Sequence, residues 1–144
     1  MDQELRPKLD ELTKRTEAPS VRDIVDTAVH SLARQLQTES GRDFLRILPQ
    51  VTDIVTSPLR EGSQPPSAQS ARMLKLLEQH IQHPSAAVRR ERLVAYALTF
   101  TSLFSDRAAL IESQSRRSLT DRQFSAHAAD VLTALIEASS TVAS

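Results

Sequence analysis

The chain has 144 residues, and its 18 basic and 18 acidic side chains cancel. That length suits one domain burying roughly 68–70% of its unfolded surface, and the neutral balance argues against a generic basic face for DNA. There is no cysteine for a disulfide or thiolate metal site, and the two glycines, Gly41 and Gly62, stand too far apart for phosphate loops, dinucleotide turns or nucleophile elbows.

No apolar run approaches the ~20 residues that span a bilayer. The first residues, Met1, Asp2, Gln3 and Glu4, are polar and acidic, unlike a signal peptide. The expectation is a soluble cytoplasmic protein with no membrane partner.

Leu5 to Thr16 carries Leu5, Leu9 and Leu12 on one helical face, with Pro7 in the first turn. Pro19 and Ser20 mark the next start, with Ser20 as N-cap and Asp23 in the first turn. Val21, Ile24, Val25, Ala28, Val29, Leu32 and Leu36 then form a helical stripe ending near Ser40 and Gly41. The third helix takes Phe44, Leu45, Ile47, Leu48, Val51, Ile54 and Val55 as its apolar set. Pro49 removes a backbone bond in its middle, which predicts a kink or two short helices meeting at Leu48. Ser57 to Ser67, with Pro58, Gly62, Pro65 and Pro66, reads as a loop. Ala68 to Gln82 is a fourth helix with Met73, Leu74, Leu77 and Ile81 inward, stopped by Pro84.

The last two helices, Ser85 to Ser105 and Thr120 to Ser139, stand out. No charged side chain occurs from Leu93 through Ser105, although 25% of the chain is charged. Such a helix must be covered on two sides. In the final helix the uncharged positions from Phe124 to Ala138 span roughly 220° of arc at ~100° per residue. Thr120 and Gln123 form a capping box there, with Leu119 and Phe124 placed as a staple. Asp106 to Ser118, polar and Arg-rich, reads as the connection. If one small domain offers one cover, the second comes most simply from another copy of the chain. The expected fold is therefore all-α: a bundle of about six helices whose last two form a four-helix bundle in a homodimer. Val94, Leu98, Thr101, Phe124, His127, Val131 and Leu135 are the candidate interface residues.

No set of side chains points to an enzyme. His80 and His83 have a spacing that suits a metal, but no third ligand accompanies them, and they read as exposed histidines at a helix C-terminus. Arg89, Arg90 and Arg92 flank Glu91 without interleaved aromatics and read as a solvated face. No metal and no cofactor is expected. The better candidates flank the proline kink, where imperfect packing leaves room for a small ligand. They are His30, Arg34, Phe44, Arg46, Leu48, Gln50 and Leu77, with Asp53 nearby; the polar ones could instead snorkel to solvent.

The order of elements resembles the C-terminal domain of TetR-type transcriptional regulators. The likeness is carried by "ESGRDFLRILPQV" (Glu39 to Val51), the proline-rich loop, "HPSAAVRRERLVAYALTFTSLFSDRA" (His83 to Ala108) and "LTDRQFSAHAADVLTALIEA" (Leu119 to Ala138). It implies an all-α domain that binds a small, often hydrophobic effector among its middle helices and dimerises through its last two. It also implies a helix-turn-helix of about fifty residues as the DNA-binding part. No such pair precedes Leu5, and Leu5 to Thr16 would correspond to the end of the helix leading out of it. Two readings of function follow: the sensing and dimerisation part of such a regulator, or a stand-alone module that pairs with related regulators without a ligand. A void near Phe44, Leu48 and Leu77 would favour the first, and a filled core the second.

Overall fold

A computed structural model describes residues 2–15, 17–63, 65 and 67–144. It is all-α, built from α1 (Asp2–Lys14), α2 (Val21–Gln35), α3 (Glu39–Val51), α4 (Asp53–Glu61), α5 (Ala68–Glu78), α6 (Ala86–Glu112) and α7 (Asp121–Glu137), with no strand among the described residues. Thr16, the expected end of the first helix, and Pro66 of the expected loop lie outside those residues. No described helix is long and apolar enough to cross a membrane.

The helix starts follow from their capping residues. The Ser20 hydroxyl accepts the Asp23 N–H at 3.1 Å, and the Asp23 carboxylate accepts the Ser20 N–H at 3.1 Å. Thr120 and Gln123 form the same reciprocal box at α7, at 3.2 and 2.9 Å. Each box satisfies two donors that a first helical turn leaves open, and losing such a cap costs about 1 kcal/mol.

The helix boundaries differ from expectation at six places. α2 ends at Gln35, so Ser40 and Gly41 lie in the first turn of α3, and α5 ends at Glu78 rather than Gln82. α1 begins at Asp2, so Pro7 sits in its second turn rather than its first. Pro49 does not end the helix at Leu48; α3 continues to Val51 and the hydrogen-bond ladder lapses at Thr52. There the Thr52 hydroxyl donates to Leu48 O at 2.7 Å, while its carbonyl accepts from the Val55 and Thr56 N–H groups at 2.9 and 3.0 Å. Because Thr52 keeps helical dihedrals (φ −61°, ψ −25°), the chain restarts at once as α4. α4 then runs through Pro58 to Glu61, where a loop was expected. Buried Thr56 and Leu59 hold it, and Gly62 closes it in the left-handed region at φ 76°. α6 extends to Glu112 instead of ending near Ser105. Its last turns are held by buried Ala108 and by Arg107, which reaches across to the start of α7.

α6 is the axis of the bundle. α7 lies antiparallel along one side: Arg107 bonds Leu119 O near its start, and Arg92 donates to Leu135 O and Ala138 O at its end, at 3.0 and 2.6 Å. α3 and α4 run antiparallel along another side, tied by the Arg42–Glu112 ion pair, Ser105 to Arg46 O at 3.4 Å, Thr52 to Thr101 at 3.3 Å and Arg60 to Glu91 at 3.3 Å. α2 packs on α7, α3 and α1, and Arg72 of α5 fastens to Asp10 and Thr13 of α1 at 2.7 and 2.9 Å. α6 thus packs on α3, α4, α5 and α7 of its own chain, while Leu98 and Ser102 of its uncharged stretch stay exposed. The chain's own helices account for most of that apolarity, and the strip at Leu98 is what they leave uncovered.

Candidate ligand-binding cavity

Small side chains face one another where α2, α5 and α6 converge. Ala28 and Ser31 on α2, Ser70 on α5 and Ala97 on α6 leave a gap, and the lapse at Thr52 prevents α3 and α4 from closing it as one straight helix. The result is a cavity of about 270 Å³. Leu5, Leu32, Leu48, Val55, Met73 and Leu74 supply much of its apolar wall, and Tyr96 and Phe100 form its aromatic side. None of the described lining residues is charged. Val51 and Ile54 line it while 41% and 55% exposed, which places its mouth at the α3–α4 junction.

The aromatic side is rigid. Tyr96 stacks on Phe100 with ring centroids 5.6 Å apart, and Phe100 meets Phe104 edge-on at 5.4 Å. Phe104 in turn meets Phe124 of α7 edge-on at 5.2 Å, and the Arg107 guanidinium lies 5.0 Å from the Phe124 ring centre. Spacing of four residues along α6 aligns the first three rings. Contacts of this kind contribute roughly 0.5–1.5 kcal/mol each beyond burial.

The polar groups of the wall fall into two sets. The Thr52 and Thr101 hydroxyls lie 3.3 Å apart, and each also reaches a helix carbonyl, Thr52 to Leu48 O at 2.7 Å and Thr101 to Ala97 O at 3.0 Å, so one proton joins the pair and the other goes to a carbonyl. The Ser67 hydroxyl accepts the Ser70 N–H at 3.1 Å. By contrast, the Tyr96 and Ser31 hydroxyls are buried without a hydrogen-bond partner. Burial pushes the Tyr96 phenol well above its ordinary value of 10, so the hydroxyl stays neutral and keeps its proton.

Of the seven residues singled out for ligand binding, Leu48 lines the cavity. Leu77 is fully buried in the core beside α6 but does not line it. His30, Arg34, Phe44, Arg46 and Gln50 are exposed, Arg34 paired with Glu4 at 3.8 Å, and Asp53 is exposed as well. The void therefore lies at Leu48, one turn further along the chain than Phe44, and neither Phe44 nor Leu77 lines it. The residues that the sequence reading passed over are Ser31, Met73, Ala97, Tyr96 and Phe100. The four-residue spacing of Tyr96, Phe100 and Phe104 was the available signal.

The seven interface candidates do not form one outer face. Val94 and Phe124 are buried within the chain, at 1% and 8% exposure. Thr101 bonds Thr52 inside the fold, and Val131 and Leu135 are half-buried, Leu135 against the core. Leu98 and His127 are exposed.

The histidines before α6 and the arginines Arg89 and Arg92 in its first turns are structural. His80 Nε2 bonds Pro19 O at 2.9 Å, and His83 bonds Val142 O and the Ser85 N–H, each at 3.0 Å. Both are half-buried rather than exposed. Arg89 donates to His83 O and Pro84 O in the turn before α6, and Arg92 to the end of α7, and with Arg90 all three are half-buried rather than a solvated face. No group of three or more potential metal ligands occurs among the described residues. No protein-family model, curated protein or solved structure matches the chain.

Proposed function

We propose that the chain is the effector-sensing and dimerisation domain of a TetR-type transcriptional regulator, and that a small apolar effector occupies the cavity. The observation that carries this reading is the uncharged void bounded by α1, α2, α3, α4, α5 and α6. At about 270 Å³ it sits just below the roughly 300 Å³ at which drug-sized sites begin, so its ligand is small. A pure pairing module has no use for such a void, since unfilled core volume only costs stability.

A ligand bridging six helices biases their packing by its differential affinity for two arrangements. The Tyr96–Phe100–Phe104–Phe124 row leads from the cavity to α7, giving that bias a packed route to the last helix pair. The domain acts in the cytoplasm as a homodimer joined through α6 and α7, and contacts DNA through a helix-turn-helix outside this sequence. Two heads held by such a dimer must match half-sites about one helical turn apart, so small shifts between the protomers alter binding.

Thermal denaturation with 4-methylcyclohexanol tests the cavity. The melting temperature of the wild type rises with ligand concentration, corresponding to about 2.7 kcal/mol at a hundredfold excess over Kd. Ala97→Phe, which puts a ring into the void, removes the response. An unchanged melting temperature of the wild type, or an equal rise in Ala97→Phe, contradicts the reading.

A further inference from the structure

We infer that the cavity takes an uncharged molecule with one hydrogen-bonding oxygen, held jointly by the hydroxyls of Tyr96 and Ser31, its remainder hydrocarbon. The inference rests on the cavity being a ligand site and goes further by naming the ligand's chemical class. Tyr96 and Ser31 are 1% and 2% exposed, and neither hydroxyl has a partner. A buried helical serine can donate to a carbonyl one turn back; Ser31 makes no such bond. Buried polar groups in folded proteins are satisfied almost without exception, so two orphans on cavity-lining residues of α2 and α6, their oxygens closed to water, mark where a polar atom of a ligand is met by a small turn of the two side chains.

The other wall groups sharpen the class. Thr52 and Thr101 spend their protons on each other and on helix carbonyls, so among the buried wall hydroxyls Tyr96 and Ser31 are the pair with donors to offer. Both hydroxyls can donate, so a carbonyl or hydroxyl oxygen can accept from both at once. The hydrocarbon part then lies against Leu48, Val55, Met73 and Leu74. A carboxylate or an ammonium group would lose its hydration with no opposite charge to meet it, because none of the described lining residues is ionisable apart from the neutral Tyr96. The class is therefore small alcohols, phenols and ketones, and not fatty acids or amines.

Tyr96 is the chain's single tyrosine and there is no tryptophan, so near-ultraviolet absorbance reports this hydroxyl alone. The full chain is titrated with 4-methylcyclohexanol, methylcyclohexane and 4-methylcyclohexanecarboxylate, all transparent at tyrosine wavelengths. The alcohol is expected to bind and to shift the Tyr96 absorption. Tyr96→Phe and Ser31→Ala should each weaken the alcohol by about tenfold and leave the hydrocarbon within about twofold, the loss of one neutral hydrogen bond. The carboxylate should bind at least about a hundredfold more weakly than the alcohol. Binding of alcohol and hydrocarbon with no Tyr96 shift, or with a ratio unchanged in both variants, overturns the anchoring pair while the cavity stands as a site. Carboxylate binding equal to the alcohol's overturns the ligand class. Failure of all three to bind the wild type removes the cavity reading, and this inference with it.

Discussion

Arg107 is 3% exposed, and a buried guanidinium is tolerable only where it is paired. Its NH2 group donates to Leu119 O at 3.0 Å and to the Asp121 carboxylate at 2.6 Å, and its plane lies over Phe124. One side chain thereby ties the end of α6 to the first turn of α7. Arg107→Ala is expected to lower unfolding free energy in urea by about 3 kcal/mol, from lost packing as well as lost pairing. Arg107→Met keeps the aliphatic bulk and should cost less than half as much; an Arg107→Ala value within about 0.5 kcal/mol of wild type would contradict this role. None of this was legible in the sequence, where Arg107 stands in a polar run. Its burial depends on partners 12 and 14 residues on, and no local periodicity encodes that contact. Tyr96 and Ser31 were hidden for a related reason: an orphaned hydroxyl is a property of the surroundings, not of the residue type.

At the level of elements, what is local was readable and what is tertiary was not. The capping boxes at Ser20 and Thr120 and the stripe of α2 need nothing beyond their own turn. Pro49 and Pro58 are helix breakers by type, yet both lie inside helices, because packing of Leu45, Thr56 and Leu59 against the bundle outweighs a missing backbone bond. The apolar run of α6 was legible; that its own chain covers all but a strip at Leu98 and Ser102 was not. This narrows the proposed dimer to residues that α6 and α7 leave outside, and Leu98, 44% exposed, is the large apolar one. Wild type is expected to sediment as a dimer at micromolar concentration. Leu98→Arg should sediment as a folded monomer with unchanged melting, whereas Leu135→Arg should fail to fold because Leu135 packs on the core. A monomeric wild type rules the dimer out. A dimeric Leu98→Arg would move the interface to another face, the nearest candidate being the exposed apolar row Phe44, Ile47, Val51 and Ile54 on α3 and α4.

Over the whole molecule, the helices enclose a void where a tighter sequence would place side chains. Ala28, Ala97 and two hydroxyls without partners occupy wall positions that larger apolar residues could fill, and such substitutions are a common route to added stability. The sequence pointed to the region through the proline in α3 but misplaced its residues, since Arg34, Arg46 and Gln50 turn outward to solvent. The sensing proposal makes this void the seat of function. Met73 lines it at 7% exposure, and Met1 is the chain's other methionine, so methyl-labelled methionine gives one probe on the wall and one at the terminus. In a 4-methylcyclohexanol titration followed by methyl NMR, the Met73 resonance is expected to shift and saturate while Met1 stays in place. A Met73 resonance that does not move at saturating alcohol would contradict ligand binding in the cavity.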